Sequence, residues 1–281
     1  MLMVIQHNML ASNANRMYGI NNVSLKKSAE KLSSGYQINR SADDAAGLAI
    51  SEVMRRQVRG LTQAASNAQD GISMVQAAEG ALHEAHDMLH RMNELCVKAA
   101  TDTMTREDRS YIQSEIGHSI EELDRLSEIA TFNNINMLGG DNGDINLPFK
   151  MKLQVGAEAD QYIEFEINSI NATTLGVADI DVCDDDGSGA SSAIDKVKEA
   201  IARNSEERSN LGAIHNRLTH AIRNLDNVVE NTTSSESKIR DTDMAKEMVA
   251  YSIRNIFSQA GLSMSAQANQ SNSGVLGLVA G

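Results

Sequence analysis

Between Ile50 and Ala99 an apolar or small residue recurs at steps of four and three: Ile50, Met54, Gln57, Leu61, Ala64, Ala68, Gly71, Val75, Ala78, Leu82, Ala85, Leu89, Met92, Cys96 and Ala99. This is a heptad seam, broken in character only at Gln57 and Gly71 and interrupted by no proline. It predicts one helix roughly 75 Å long at about 1.5 Å per residue. Its small members let neighbouring backbones approach closely, which favours a multi-helix bundle over a two-stranded zipper.

Shorter periodic stretches flank the seam. Residues 1–34 carry a thin scatter of apolar positions, Met9, Leu10, Met17, Ile20, Val23, Leu25 and Leu32, too few to hold a helix alone in water, and Ser33, Ser34 and Gly35 mark a break. Thr105 and Asp108 match a capping box, followed by Ile112, Ile116, Ile120, Leu123 and Leu126 at helical spacing. Residues 131–148, with paired Asn and Gly and the sole proline, Pro148, read as loop. The period then changes to two: Met151, Leu153 and Val155, and after a polar turn Ile163, Phe165 and Ile167, predict a β-hairpin. Residues 171–192, including Asp184, Asp185, Asp186 and Gly187, read as an acidic connector. A second long helix follows on Ile194, Val197, Ile201, Leu211, Ile214, Leu218, Ala221, Leu225 and Val228. From Met244 a last helical pattern runs through Met248, Ile253, Ile256, Phe257, Ala260 and Met264 to an apolar tail of Val275, Leu276, Leu278 and Val279. The fold class expected is mainly α, a long antiparallel helical bundle or coiled coil with a small β-hairpin region.

Composition agrees. With 1 proline, no tryptophan, 3% aromatic residues and 14 methionines, burial must come from Leu, Ile, Val, Met and Ala on helix faces. A net charge of −13 argues against nucleic acid and anionic membrane surfaces as partners. Arg55, Arg56 and Arg59 read as a solvated helix face. No apolar run approaches the ~20 residues of a membrane span. Gln6, His7 and Asn8 break the first apolar run, so the chain is expected to be cytosolic or to leave by a route that needs no cleaved signal peptide.

Candidate chemistry is sparse. His83, His86 and His90 share a helix face with Glu79, but the histidines at 83 and 86 are one residue short of the metalloprotease spacing and read as surface histidines. Asp184, Asp186 and Gly187 resemble part of a calcium loop, with Val182 and Ala193 standing where acidic ligands belong, and read as a solvated turn. Neither a phosphate cradle nor a nucleophile motif is present, so no catalytic residue, cofactor or metal is expected. Cys96 on the seam reads as a small buried hydrophobe, and no disulfide to Cys183 is expected.

Longer segments carry a family likeness. LSSGYQINRSADDAAGLAISEVMRRQVRGLTQAASNAQDGISMVQAAEGAL, from Leu32 to Leu82, resembles the N-terminal region of bacterial flagellins. SNLGAIHNRL from Ser209, SKIRDTDMAKEM from Ser237 and SAQANQ from Ser265 resemble the C-terminal region, in the right order, and KMKLQVGAEADQYIEFEI resembles the family's hairpin. The likeness covers about 1–138 and 193–276, and the outer variable domains of larger members are absent from the sequence.

This resemblance implies terminal arms, 1–40 and 236–281, forming an inner coiled coil, and a bundle domain, 41–235, with the hairpin at about 150–168. It implies a non-enzymatic subunit that is exported and polymerises into the extracellular flagellar filament for motility; a hook–filament junction protein and a cytosolic helical scaffold are the alternatives. Arms that order only against neighbours suit export before assembly. The partners implied are further copies of the chain, an export chaperone on the arm around Ile253, Ile256, Phe257, Ala260 and Met264, filament cap and junction proteins, and a host Toll-like receptor. For the receptor, Arg91, Leu95 and Glu115 stand at the family's contact positions on the outer bundle face, while Asn93 occupies a place where relatives often carry a second arginine.

Overall fold

A computed structural model of the chain describes residues 8–140, 147–184 and 188–280, the last nine by backbone alone. In chain order the elements are α1 (Met9–Ser34), α2 (Ala45–Ala99), α3 (Arg106–Ile129), β1 (Thr131–Phe132), β2 (Ile135–Asn136), β3 (Phe149–Gln154), β4 (Tyr162–Ile167), α4 (Ala172–Leu175), α5 (Ser188–Arg240) and α6 (Met244–Ala280). They fall into two compact units, Gln57–Glu230 and Met1–Arg56 with Asn231–Gly281. The boundaries expected after 40 and 235 both lie inside the second of these.

In the first unit the seam of α2 is buried without a gap from Leu61 to Ala99. Around it the apolar faces of α3 and α5 and the inner face of the β3–β4 hairpin form one core that includes Leu82, Leu89, Met92, Ile116, Leu123, Ile167, Leu211 and Leu218. The departure at Gly71 has a packing cause. A Cβ there would lie 2.3 Å from Leu153 Cδ1, so glycine is what lets the hairpin seat on the helix. The hairpin is antiparallel in the register Met151↔Phe165 and Leu153↔Ile163. Deep in the core, Asn204 of α5 is fully buried and its Nδ2 donates to the Leu82 carbonyl of α2 at 3.0 Å. Thr105 and Asp108 close the reciprocal cap of α3.

Two expectations are corrected here. The 131–148 loop contains a hairpin: Asn133 and Asn134 take positive φ, 49° and 63°, which gives the turn that joins β1 to β2, and Met137 and Leu138 follow it into the core. The 171–192 connector is core structure over most of its length. Asn171 caps the short helix α4, Ala172, Leu175, Val177, Ile180 and Val182 are buried, and α5 begins at Ser188. Asp185, Asp186 and Gly187, and the opening residues 1–7, lie outside the described residues, as do the side chains of Val275, Leu276, Leu278 and Val279.

In the second unit α1 and α6 pair antiparallel: Asn8 Nδ2 donates to Ala268 O at 3.0 Å near one end, and Arg254 donates to Ser24 O at 3.1 Å and to the buried Ser28 Oγ near the other. The arms expected to order only against neighbours are thus helical in the single chain, because each supplies the other with a partner face. Gly35, at φ 77°, ends α1 in the left-handed conformation that glycine tolerates. Beyond it Gln37 N donates to Arg240 O and Thr242 N to Gly35 O, at 2.7 and 2.9 Å, forming a two-stranded clasp. The Arg240 guanidinium lies 4.9 Å from the Tyr36 ring centre and bonds Glu52 at 2.7 Å, and that hydrogen bond, with the nearby Arg55 charge, holds the Glu52 carboxyl below its ordinary pKa. Asp44 Oδ1 accepts from the Ala46 and Gly47 amides and so caps α2.

Two expected outcomes follow from packing. Gly80 sits on α2 with open space around its Cα, so Gly80→Ala should stabilise the chain by about 0.5–1 kcal/mol, whereas Gly71→Ala should destabilise it by about 1–3 kcal/mol because Leu153 must repack. Denaturant unfolding of both variants checks this, and shifts of the same sign would contradict it. Cys96 is fully buried, which pushes its thiol up to about 11, while Cys183 is only half-buried. Alkylation of the native chain at pH 8 should modify Cys183 first and Cys96 only after denaturation; equal rates would overturn the placement.

Candidate assembly surface and side-chain clusters

Pairing α1 with α6 half-buries Tyr18, Leu25 and Leu32 of α1 and Tyr251 of α6 beside polar and small residues, and leaves many of the other large apolar residues outside. Leu10, Met17, Ile20 and Val23 of α1 and Met248, Val249, Ile253, Ile256, Phe257, Leu262 and Met264 of α6 are all exposed, Ile256 to 64% and Leu10 to 71%. Leu10, Met17, Phe257, Ala260 and Met264 line an apolar groove of about 500 Å³ between the two helices. All five sequence-derived arm residues, Ile253, Ile256, Phe257, Ala260 and Met264, lie exposed on α6. Sequence reasoning missed Arg254, whose signal was a lone cation inside an apolar stripe; it reaches across to Ser24 and Ser28 and fixes the register of the pair.

The second set of sequence-derived residues lies on α2 and α3. Arg91 donates to Glu115 Oε1 from Nε at 3.1 Å and from Nη2 at 2.7 Å, and to Glu94 at 3.2 Å. These carboxylates raise the guanidinium's pKa further above its ordinary value. Arg91 and Glu115 are exposed, so the structure brings these two together on the surface. Leu95, expected on the outer face, is instead 3% exposed and belongs to the core. α2 is covered on more than one side, so the buried stripe is wider than the seam and takes in the residues just before Val75 and Cys96, namely Met74 and Leu95. Asn93 is half-buried.

The histidines divide. His86 and His90 approach each other, while His83 turns to Asp87 at 3.9 Å, so the shared face does not gather all three. Burial beside His90 and the Arg208 guanidinium lowers the His86 pKa. Among the described residues no three of His, Cys, Asp and Glu come together as a metal cage, and no helix is long and apolar enough to cross a membrane.

Comparison with known proteins gives the family. The model of the bacterial flagellin N-terminal helical region matches residues 5–143 and that of the C-terminal helical region matches 194–279. Flagellin of Halalkalibacterium halodurans is 46% identical, with 99% of this chain and all of that protein covered. The flagellar filament 33 kDa core protein of Treponema phagedenis is 44% identical and flagellin of Bacillus subtilis 43%, each over 99% of this chain and the whole of the relative. Such full-length matches do not favour a junction protein or a cytosolic scaffold. The chain belongs to the bacterial flagellin family in its short form, and it is a self-polymerising structural subunit of the flagellar filament.

Proposed function

We propose that copies of this chain polymerise by burying the exposed α1–α6 face against one another. The observation that carries the reading is the set of exposed Leu, Ile, Val, Met and Phe side chains on the two paired helices, four of which, Leu10, Met17, Phe257 and Met264, line one groove. Each such side chain fully buried contributes about 1.5–3 kcal/mol, so a handful per contact suffices to drive association. Contacts between unlike surfaces that do not close into a ring generate an open helix, the geometry of a filament. The role is structural and not enzymatic.

Further partners belong to the same reading. Before assembly the face around Ile253, Ile256, Phe257, Ala260 and Met264 is open to an export chaperone, which would cover it while the subunit awaits export without a cleaved signal peptide. At its ends the polymer would meet cap and junction proteins. On the bundle, Arg91 and Glu115 offer a charged outer surface to a host Toll-like receptor, and Leu95 supports that surface from within.

Seeded growth from purified monomer tests the central claim. Ile256→Glu should abolish elongation while changing monomer stability by no more than about 0.5 kcal/mol, since the residue is exposed; normal elongation by this variant would refute the assembly face. For the receptor, Arg91→Ala should weaken binding of the monomer and Asn93→Arg should strengthen it, a charge-assisted hydrogen bond being worth about 1.5–3 kcal/mol. Unchanged binding in both variants would remove Arg91 and Asn93 from the contact.

A further inference from the structure

On α2, His86 and His90 stand one turn apart with their Nε2 atoms 3.1 Å from each other, ring centres 4.5 Å apart and ring planes at 85°. Two imidazole nitrogens bound to one metal at about 2.0–2.1 Å, with an angle between square-planar and tetrahedral, lie about 2.9–3.3 Å apart. The pair already has the bite of a chelate. Helix geometry supplies it, because residues four apart stack on one face.

We infer that His86 and His90 form a two-histidine site for a borderline-soft divalent cation, Zn2+, Ni2+ or Cu2+, with water completing the coordination. Hard Ca2+ and Mg2+ are excluded by the nitrogen ligands, since both prefer oxygen. His83 stays outside the site, turned to Asp87. Arg208 is the opposing charge nearby, and Asp87 partly offsets it. His86 is half-buried, with Nδ1 turned to the bundle and without a hydrogen-bond partner and Nε2 turned to His90. Where one ring is the Nε2–H tautomer, the 3.1 Å contact is an N–H···N hydrogen bond. On binding, that proton moves to Nδ1 of the ring that carried it, both Nε2 lone pairs turn to the cation, and no electron is transferred.

The site is independent of the assembly face, and its test uses the full-length monomer. Calorimetric titration with ZnCl2 and with NiCl2 should show one saturable equivalent, and CaCl2 should show none. His90→Gln changes an exposed residue and should weaken binding by about tenfold or more, since even groups that merely orient a metal ligand are worth that much; His83→Gln should leave it unchanged. Cu2+ electron paramagnetic resonance should report nitrogen coupling that is reduced in His90→Gln. Equal Zn2+ affinity in the parent and His90→Gln, or equal loss in His83→Gln and His90→Gln, would overturn the assignment.

Discussion

The larger unit depends on how closely backbones can approach along the seam of α2. Ala64, Ala68, Gly71, Ala78, Ala85 and Ala99 alternate with Leu82, Leu89 and Met92, and all are buried. Small residues admit the neighbour and large ones fill the space between, the interdigitation that gives interiors their density. Two further features follow from that spacing. The hairpin can seat on α2 because position 71 has no side chain, and Asn204 can reach the Leu82 carbonyl because α5 lies close enough for a 3.0 Å hydrogen bond. A buried Nδ2 that finds its acceptor in one alignment disfavours sliding of α5 along α2, so the polar contact specifies what the apolar ones stabilise.

The terminal helices obey the opposite logic. Within α1 only Ser28 is buried, and it is polar. What joins α1 to α6 is a set of directional contacts, Asn8 to Ala268, Arg254 to Ser24 and Ser28, and the clasp at Gly35 and Thr242, together with partial burial of Tyr18, Leu25 and Leu32. Directional bonds fix geometry at modest net free energy, about 0.5–1.5 kcal/mol for each neutral one and about 1.5–3 kcal/mol for one from a charged group such as Arg254. The apolar surface remains available for association, and the partnership of the two helices orients it.

Much of this was legible in the sequence because the rules involved are local. A heptad seam, a Thr-x-x-Asp cap, a two-residue alternation and a glycine after Ser33 and Ser34 each act within a few residues, and α2, α3, β3–β4 and the end of α1 appear where they point. The misses all depend on distant neighbours. Val177, Ile180 and Val182 lie among acidic residues that mimic a linker, and their burial requires the core to be there first. Leu95 is one step off the seam, and only the wrapping of α2 by several elements draws it inside. For the arm face the residues were readable but their exposure was not, since a sparse stripe does not say how much of itself its partner will cover. The separation of His83 from His86 and His90 depends on side-chain orientation, which spacing leaves open.

The clasp between residues 35–37 and 240–242 also carries a temporal meaning. Asn8 meets Ala268 across 260 residues of chain, and Gln37 meets Arg240. Loop closure over such a span is entropically slow to achieve compared with the contacts inside α2 and α3. A chain that becomes available from its first residue onward holds α1 without its partner helix until the last stretch arrives, so the oriented apolar face is the final thing to be completed. Competence to associate is thereby tied to possession of both ends: a chain truncated before α6 has the first half of the surface and nothing to orient it.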